Sequence, residues 1–250
     1  MKALILAAGC GTRLRPLTDK VPKAMVKVGD EPIIGNTIRC LLSAGIKDIG
    51  IVIGYKGECI QEYVEETFDG LNICYFENTR YMETNNIVSL YSAIDYCDDD
   101  MILIECDVLF SLPSLDSLIA GEGDCDILVS DYDPFMMDGT AIKAIDGRVS
   151  ELILRERQSS DFNYVGVYKT VNLYKFSKAF LDCFVTLISW YVKMISEKVY
   201  YEKVLGMIIY SQEFDVRTIS ISSSTWCEID DENDLKRATE MRRIITGESK

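Results

Sequence analysis

The N-terminal segment of this chain joins a short apolar run to a glycine-rich turn. Ala3 to Ala8 is continuously apolar, a pattern typical of a strand covered on both faces in a mainly parallel sheet. Gly9 and Gly11 follow, and because glycine has no Cβ, a ligand can approach the main chain closely there. The segment therefore predicts a buried strand that leads into a loop with exposed backbone N–H groups.

Three basic side chains lie in or shortly after this predicted loop. Arg13 and Arg15 carry planar, permanently charged groups, and Lys23 adds a mobile point charge after Pro22. Exposed N–H groups and fixed cations together suit a polyphosphate better than a neutral ligand. The glycines alone also fit a tight surface turn with solvated basic residues. The spacing matches neither a P-loop nor the G-x-G-x-x-G dinucleotide fingerprint.

Net charge and missing residue types limit the function. The formal net charge of −14 argues against general affinity for nucleic acids or anionic membranes, because both need a basic protein surface. The chain has no histidine, which excludes mechanisms that use imidazole as base or nucleophile. Its nine cysteines include no C-x-x-C pair, so a zinc site is not expected. We interpret them as free thiols and, without a secretory signal, expect a cytoplasmic location.

Predicted strands and helices alternate along the first half of the chain, which favours a parallel, doubly wound sheet. From Asp124 the pattern changes to short strands separated by turns, so antiparallel pairing is expected there. The predicted strands are Ala3–Ala8, Asp48–Ile53, Asn72–Phe76, Met101–Cys106, Ile127–Ser130, Ala141–Ile145, Val149–Leu154, Tyr164–Tyr168 and Phe214–Ile219. The first predicted helix carries Ile34, Ile38, Leu41 and Leu42 on one face and ends at Gly45. The other predicted helices are Cys59–Phe68, Asn86–Tyr96, Leu173–Glu197, Tyr201–Ser211 and Glu232–Ile245.

The N-terminal segment also carries a resemblance. LAAGCGTRLRPLTDKVPKAMVKVGDEPII resembles the signature of nucleotidyltransferases, which join a nucleoside triphosphate to a sugar phosphate, phosphocholine or phosphonate. The resemblance implies an α/β, Rossmann-like (GT-A-like) fold with a mainly parallel central sheet, helices on both faces and a small antiparallel and helical acceptor-binding insertion. The positions that match the signature are Gly9, Gly11, Arg13, Pro16, Thr18, Pro22, Lys23 and Pro32.

No linker or repeat marks a domain boundary. We expect one nucleotidyltransferase domain over residues 1–250, with a nucleotide-binding half of about 1–125, an acceptor-binding or lid half of about 126–225, and a closing metal-site segment and helix at 226–250. Open α/β sheets bind ligands beyond the carboxyl ends of their strands. The predicted nucleotide-binding residues are Leu6, Ala7, Ala8, Gly9, Gly11, Thr12, Arg13, Lys23, Gly54, Asn85, Asn86, Ser89 and Cys106.

Two carboxylates are candidates for a metal site. Asp107 follows a predicted strand, and Asp230 stands just before the last predicted helix. Mg²⁺ prefers oxygen ligands and usually takes one or two carboxylates together with substrate phosphates. Acidic residues at such positions also serve as caps, which is the simpler interpretation of Asp231. The resemblance implies metal-binding aspartates at positions 107 and 230, with Mg²⁺ as the cofactor.

The resemblance implies attack by a phosphate or phosphonate oxygen on the α-phosphorus of a nucleoside triphosphate, with release of pyrophosphate. A phosphate oxygen is already ionised at neutral pH, so no general base is required. Positioning and charge stabilisation then carry catalysis. The predicted catalytic residues are Lys23, Arg13 and Asp107, and Lys23 is the first candidate for contact with the α-phosphoryl oxygens.

Two later segments bear on the choice of nucleotide and acceptor. Tyr81–Tyr91 is similar to a segment of phosphocholine and phosphonate cytidylyltransferases, and Met137–Thr140 is similar to a stretch in phosphonate cytidylyltransferases. Asn85, Asn86 and Ser89 can offer polar groups to a base or ribose, although Asn at a helix start is also an ordinary N-cap.

The acceptor site is predicted from acidic, aromatic and basic residues. Carboxylates and aromatic faces both attract ammonium groups, although in so acidic a chain such a cluster also fits a solvated surface. The predicted acceptor-binding residues are Asp131, Asp138, Lys143 and Trp226, with Tyr132 and Asp133 in the same amine cluster and Arg155 and Arg157 as further phosphate contacts.

These observations lead to three functional hypotheses. The first is a Mg²⁺-dependent cytidylyltransferase that transfers CMP from CTP to phosphocholine, 2-aminoethylphosphonate or a similar head group. The second is a sugar-1-phosphate nucleotidyltransferase that uses UTP, dTTP or GTP, and the third is an inactive nucleotide-sensing regulatory subunit. No nucleic-acid or membrane partner is expected. The apolar stretch Phe184–Tyr191 fits either a homodimer surface or a helix packed on its own sheet.

Overall fold

The computed structural model describes residues 1–246 of the chain. The strands are β1 (Lys2–Ala7), β2 (Lys27–Val28), β3 (Glu31–Pro32), β4 (Asp48–Ile53), β5 (Asn72–Glu77), β6 (Met101–Glu105), β7 (Val108–Phe110), β8 (Cys125–Asp131), β9 (Ala141–Ile145), β10 (Arg148–Ile153), β11 (Tyr168–Phe176), β12 (Val216–Ser220) and β13 (Trp226–Glu228). The helices are α1 (Ile33–Ser43), α2 (Gly57–Thr67), α3 (Asn86–Ser92), α4 (Leu112–Ile119), α5 (Lys178–Met194), α6 (Glu202–Ser211) and α7 (Glu232–Thr246).

Nine of these strands form one sheet in the order β5-β4-β1-β6-β11-β8-β12-β10-β9. The first four pair in parallel, and the register places Leu4 of β1 between Gly50 of β4 and Leu103 of β6. Pairing turns antiparallel at β11, is parallel again between β8 and β12, and is antiparallel from β12 to β9. The whole sheet is therefore mixed, and the predicted mainly parallel arrangement describes only its first four strands.

The largest difference from the sequence prediction concerns residues 164–177. Tyr164–Tyr168 is predicted as a strand and Leu173 as the start of a helix, but β11 runs from Tyr168 to Phe176 and α5 begins at Lys178. β11 lies in the middle of the sheet between β6 and β8. A strand buried on both faces is apolar without alternation, so its pattern merges with that of the following helix. The helix α4 was not predicted.

Alternating residues of β1 pack into two hydrophobic clusters on opposite faces of the sheet. Leu4 and Leu6 contact the cluster that α3, α5 and α6 cover, and Ala3, Ile5 and Ala7 contact the cluster that α1, α2 and α4 cover. Side chains of a strand point to the two faces in turn, so every position of β1 is buried apart from its first residue. The sheet is held between two helical layers, and the end of β1 is fixed from both sides.

The long apolar helix α5 belongs to the interior of the protein. Phe184, Ile188 and Tyr191 are buried in the cluster with α3 and α6, while Trp190 is half exposed. The helix therefore packs on its own sheet, which is one of the two interpretations of this stretch. Within residues 1–246, no helix is both long and apolar enough to cross a membrane.

Candidate active site

The loop after β1 requires glycine at position 11. Gly11 has φ +60, and a Cβ there would lie 3.0 Å from the Cβ of Lys23 and 3.1 Å from the Cγ2 of Thr18. Thr18 Oγ1 donates a hydrogen bond of 2.7 Å to the Gly11 carbonyl oxygen. Since left-handed backbone and close contacts both disfavour a side chain, the loop can fold over Lys23 only with glycine here.

Lys23 lies between the two predicted metal-binding carboxylates. Its Nζ is 2.8 Å from Asp107 Oδ2 and 2.6 Å from Asp230 Oδ1, and the residue is only 9% exposed. Arg13 Nη2 is 2.8 Å from the same oxygen of Asp230. The fold thus brings together three segments that are distant in sequence: the glycine-rich loop, the end of β6 and the turn before α7.

Hydrogen bonds hold the two carboxylate segments together. The backbone N–H of Ile229 donates to the Asp107 carbonyl oxygen at 2.9 Å. Asp231 Oδ1 accepts from the backbone N–H groups of Asn233 and Asp234, at 2.7 and 3.0 Å. Asp231 therefore caps α7, as its position predicts, and leaves Asp230 free to face Lys23.

The ion-pair network shifts two pKa values in opposite directions. Burial of Lys23 opposes its charge, but the carboxylates of Asp107 and Asp230 outweigh this effect and raise the pKa of Lys23 above its ordinary value. Burial likewise opposes ionisation of Asp230, yet Lys23 and then Arg13 lower its pKa below the usual range. Lys23 and Asp230 are consequently both charged at neutral pH.

The carboxylates of Asp107 and Asp230, on either side of Lys23, suit a divalent cation. The second oxygen of Asp107, Oδ1, is buried and has no hydrogen-bond partner within residues 1–246, so this site has an unused anionic ligand. Lys23 Nζ lies between the carboxylates, where a cation is stabilised. No group of three or more Asp, Glu, His or Cys side chains suited to a metal occurs in the described part of the chain. A metal at this site would take its remaining ligands from substrate or water.

A cavity of about 300 Å³ opens from this network along the glycine-rich loop. We call it the loop cavity. Asn78, Tyr81 and Thr84 of its wall come from the segment before α3 and were not among the predicted binding residues. Tyr81 and Thr84 lie in the segment Tyr81–Tyr91 that carries the similarity to cytidylyltransferases. The lining residues are Leu6, Ala8, Gly9, Cys10, Gly11, Thr12, Arg13, Lys23, Asn78, Tyr81, Thr84, Asn85, Asn86, Ser89, Glu105, Cys106, Asp107 and Asp230.

Two predicted nucleotide-binding residues lie outside the loop cavity. Ala7 packs in the hydrophobic cluster beneath β1. A Cβ on Gly54 would lie 2.8 Å from the Ala8 carbonyl oxygen and 3.1 Å from Tyr81 Cδ1. Gly54 therefore permits close packing behind the loop, and its position gives it no direct share of the cavity wall.

The polar residues at the start of α3 have structural partners. Asn85 Oδ1 accepts from the Asn86 backbone N–H at 2.8 Å, as an N-cap does. Ser89 Oγ accepts from Asn78 Nδ2 at 3.1 Å. Asn86 Nδ2 donates to Glu105 Oε1 at 3.2 Å and Glu202 Oε2 at 3.3 Å. All three of the predicted residues line the loop cavity, but the Asn86 amide is directed toward carboxylates.

A second cavity, of about 610 Å³, contains most of the predicted acceptor residues. We call it the tryptophan cavity; Asp131, Asp138 and Trp226 line it, together with Arg13 and Asp230. Trp226 is 3% exposed, and its Nε1 has no hydrogen-bond partner within residues 1–246. Lys143, by contrast, lies on β9 and pairs with Glu151 at 2.8 Å. Lys143 lines neither the loop cavity nor the tryptophan cavity.

A third cavity, of about 410 Å³, lies next to the ion-pair network. We call it the glutamate cavity, because Glu105, Glu202 and Glu228 line it along with Lys169. Burial raises the pKa of Glu105 and of Glu228, and it raises the pKa of Glu202 to about 7. Lys169, at 1% exposure, lies 3.1 Å from Glu228 Oε2.

Sequence reasoning missed these glutamates, although a signal was present for two of them. Glu105 stands two residues before Asp107, and Glu228 two residues before Asp230. In extended backbone, residues i and i+2 lie on the same face. Each glutamate is therefore expected on the same side of the chain as the aspartate that follows it. Glu202 and Lys169 gave no such signal, because only the packing of α6 and β11 against this corner brings them there.

Comparisons with known proteins agree with this architecture. The family model described as nucleotidyl transferase matches residues 2–118. CMP-5'-(3-aminopropyl)phosphonate synthase of Streptomyces rubellomurinus is 28% identical over 95% of this chain and 38% of its own length. 2-Aminoethylphosphonate cytidylyltransferase of Lancefieldella rimae is 40% identical over 44% of each chain. The matched part thus covers less than half the length of both relatives.

One further relative and one solved structure extend the match. UTP–glucose-1-phosphate uridylyltransferase of Haloferax volcanii is 30% identical over 67% of this chain and 71% of its own length. The structure of CTP:phosphocholine cytidylyltransferase from Streptococcus pneumoniae superposes with a TM-score of 0.77 at 24% identity, covering 96% of this chain and 98% of that one. The chain therefore has the same α/β fold as that structure. The chain belongs to the nucleotidyltransferase family.

Proposed function

We propose that this protein is a cytidylyltransferase that transfers CMP from CTP to a small phosphorylated or phosphonate head group. The observation that carries the proposal is Lys23, buried between Asp107 and Asp230 at the edge of the loop cavity. CTP is favoured by the names of two relatives. One is a CMP-5'-(3-aminopropyl)phosphonate synthase that matches 95% of this chain, and the other is a 2-aminoethylphosphonate cytidylyltransferase that matches 44% of it.

In the proposed reaction, an acceptor oxygen forms a bond to the α-phosphorus of CTP. The bond from that phosphorus to the bridging oxygen breaks, and its electron pair leaves with pyrophosphate. The acceptor oxygen is already ionised at neutral pH, so no proton has to be removed from it. This requirement suits a chain without histidine, because positioning and charge stabilisation are then sufficient.

The residues of the loop cavity have separate roles in this proposal. Backbone N–H groups from Gly9 to Thr12 face the phosphates, as glycine-rich loops after strands do in other nucleotide sites. Lys23 contacts the α-phosphoryl oxygens, and Arg13, which is largely exposed, closes on the leaving pyrophosphate. Both cations offset negative charge that develops as the P–O bond breaks.

Asp107 and Asp230 would hold Mg²⁺ in this proposal. Two carboxylates beside substrate phosphates are the usual protein ligands of this ion, and the unpartnered Oδ1 of Asp107 supplies a free ligand atom. When bound, the ion supplies charge stabilisation to the phosphate oxygens. Lys23 would then exchange its carboxylate partners for phosphate oxygens.

The test is pyrophosphate release with Mg²⁺ present, measured for CTP, UTP, dTTP, GTP and ATP. Each nucleotide is combined with 2-aminoethylphosphonate, phosphocholine, a phosphorylated amino acid amide and hexose 1-phosphates. We expect release with CTP and a small head group, and its loss in Asp107→Asn, which keeps the side-chain volume. Glu213→Gln, an exposed substitution far from the cavities, is the matched control and should retain activity.

Three other outcomes would contradict the proposal in different ways. Release only with hexose 1-phosphates and UTP or dTTP would indicate a sugar-phosphate nucleotidyltransferase, which the match to the Haloferax volcanii uridylyltransferase makes the second candidate. Tight nucleotide binding without release for any acceptor would indicate a nucleotide sensor. Full activity in Asp107→Asn would remove the site assignment.

A further inference from the structure

Two carboxylates in the glutamate cavity have no cationic partner. Glu202, the first residue of α6, is 6% exposed, and Glu105 ends β6. Within residues 1–246, neither forms a salt bridge with a lysine, an arginine or the N-terminal amine. Buried carboxylates are normally paired with a cation or neutralised. The glutamate cavity therefore has space for a cationic group beside these two side chains.

The neighbouring carboxylates of Glu228, Asp107 and Asp230 differ, because each is paired with a cation. Glu228 is paired with the buried Lys169 and accepts a hydrogen bond of 3.0 Å from Asn172 Nδ2. Asp107 and Asp230 share Lys23. Glu105 and Glu202 thus differ from Glu228, Asp107 and Asp230, which lie in the same cavity wall and are paired with cations.

Neutral hydrogen-bond donors hold the two unpaired carboxylates side by side. Asn86 Nδ2 donates to both, and Tyr201 Oη donates to Glu105 Oε1 at 2.8 Å. The Asn86 side chain is itself fixed, because its Oδ1 accepts from the Tyr201 backbone N–H at 2.9 Å. These contacts preorganise the two carboxyl groups at one wall of the cavity.

The glutamate cavity also opens onto the proposed reaction centre. It shares Arg13, Asn86, Glu105, Asp107 and Asp230 with the loop cavity. A ligand whose anionic end lies at Arg13, next to a cation held by Asp107 and Asp230, can therefore extend its other end toward Glu202. Such a ligand carries a negative and a positive charge on one short molecule.

We propose that Glu202, with Glu105 beside it, binds the ammonium group of the acceptor and selects a primary ammonium over a trimethylammonium group. This inference rests on the proposed function. A primary ammonium has three N–H donors for carboxylate oxygens. A trimethylammonium has none and depends on aromatic faces, and among the residues lining the cavity the sole aromatic is Tyr200, which is half exposed.

The inference moves the amine site away from the residues predicted for it. Asp131 and Trp226 line the tryptophan cavity instead. Asp138 lines both cavities, but its carboxylate is paired with Arg155. Asn86 becomes a positioning residue for the two carboxyl groups that bind the acceptor's amine, since its amide donates to Glu105 and Glu202.

The first test is equilibrium binding by calorimetry, with Mg²⁺ and a nonhydrolysable CTP analogue present. The ligands are 2-aminoethylphosphonate, phosphocholine and ethylphosphonate, which lacks the amine. Glu202→Gln keeps the side-chain shape and should weaken 2-aminoethylphosphonate binding by about tenfold or more, because a charge-assisted hydrogen bond is lost. Ethylphosphonate binding should not change, and Glu213→Gln should behave as wild type.

The second measurement is steady-state turnover of the same variants. Glu202→Gln should raise KM for 2-aminoethylphosphonate while KM for CTP stays constant, and wild type should prefer this acceptor to phosphocholine. An equal loss for ethylphosphonate, unchanged amine binding, or a preference for phosphocholine would overturn the inference. Because binding is measured without turnover, an inactive enzyme that still binds the amine through Glu202 would contradict the proposed function alone.

Discussion

At the scale of the residue, Lys23 is the side chain on which the site depends. It is almost fully buried, and it holds two carboxylates that come from distant parts of the chain. Burying a charge is costly unless it is paired, so Lys23 compensates two anions that would otherwise repel each other. In the free protein, Lys23 therefore stabilises the fold by pairing with these two carboxylates, in addition to the phosphate contact proposed for it.

Replacing Lys23 with methionine should therefore affect stability as well as activity. Without divalent metal, Lys23→Met should lower the free energy of unfolding by about 3 kcal/mol, since the half-buried carboxylate of Asp107 loses its ion-pair partner and that of Asp230 keeps only Arg13. Mg²⁺ should restore part of this loss by taking the same position between Asp107 and Asp230. Urea unfolding with EDTA or with Mg²⁺ measures both effects. Lys20→Met, at an exposed site of the same loop, is the control, and equal losses in the two variants would refute the explanation.

At the scale of the element, α7 fixes the second carboxylate. Cys227 and Ile229 pack in a cluster with Ala238 of α7, and Asp231 caps the helix start. The turn that carries Asp230 is thereby held between a short strand and a helix N-terminus. A precise position for a single carboxylate thus depends on a whole element.

The cap of α7 can be tested directly. Asp231→Ala removes the acceptor for two helix N–H groups and should lower the free energy of unfolding by about 1 kcal/mol. Asp231→Asn should restore most of it, because an amide oxygen can cap as well. Thermal and urea unfolding measure the effect. If alanine and asparagine proved equally destabilising, the charge of Asp231 would matter and not its hydrogen bonds.

At the scale of the whole molecule, the buried carboxyl groups of the glutamate cavity make the free energy of unfolding depend on pH. The pKa of Glu202 is raised to about 7 by burial, which outweighs the hydrogen bond from Asn86 and the field of Lys169, while Asp107 adds to the increase. The native state then holds a proton that the unfolded chain releases near its ordinary pKa of 4.5. The free energy of unfolding must fall as pH rises between these two values.

This fall should amount to as much as about 3 kcal/mol between about pH 5 and pH 8 in the absence of ligands. Glu202→Gln cannot ionise, so the variant should lose the share of this pH dependence that Glu202 contributes and be more stable than wild type at the upper end. Glu105 and Glu228, whose pKa values burial also raises, should keep their shares. Urea midpoints across that range measure it. A wild-type profile that is flat, or that rises with pH, would show that Glu202 is already ionised in the native protein.

Local sequence patterns were sufficient for β1, β4, β5, β6 and the helices α1 to α3 of the first half of the fold, although they missed α4. The apolar run at Ala3, the strand Asp48–Ile53 and the helix starting at Asn86 appear where periodicity predicts them. The boundary near Leu173 was wrong, because a central strand and a buried helix share one apolar pattern. Single-residue chemistry also indicated Lys23 and Asp107 as neighbours at one edge of the sheet, since strand ends converge there.

The sequence by itself determined the family, the glycine-rich loop and the charged residues beside it, because these depend on short stretches of chain. Only the tertiary structure decided which carboxylates have a cation and which do not. Glu202 and Lys169 reach the site through α6 and β11, whose packing involves contacts far apart in sequence. Whether a charge is paired depends on what lies within a few ångströms, and no local pattern records that distance.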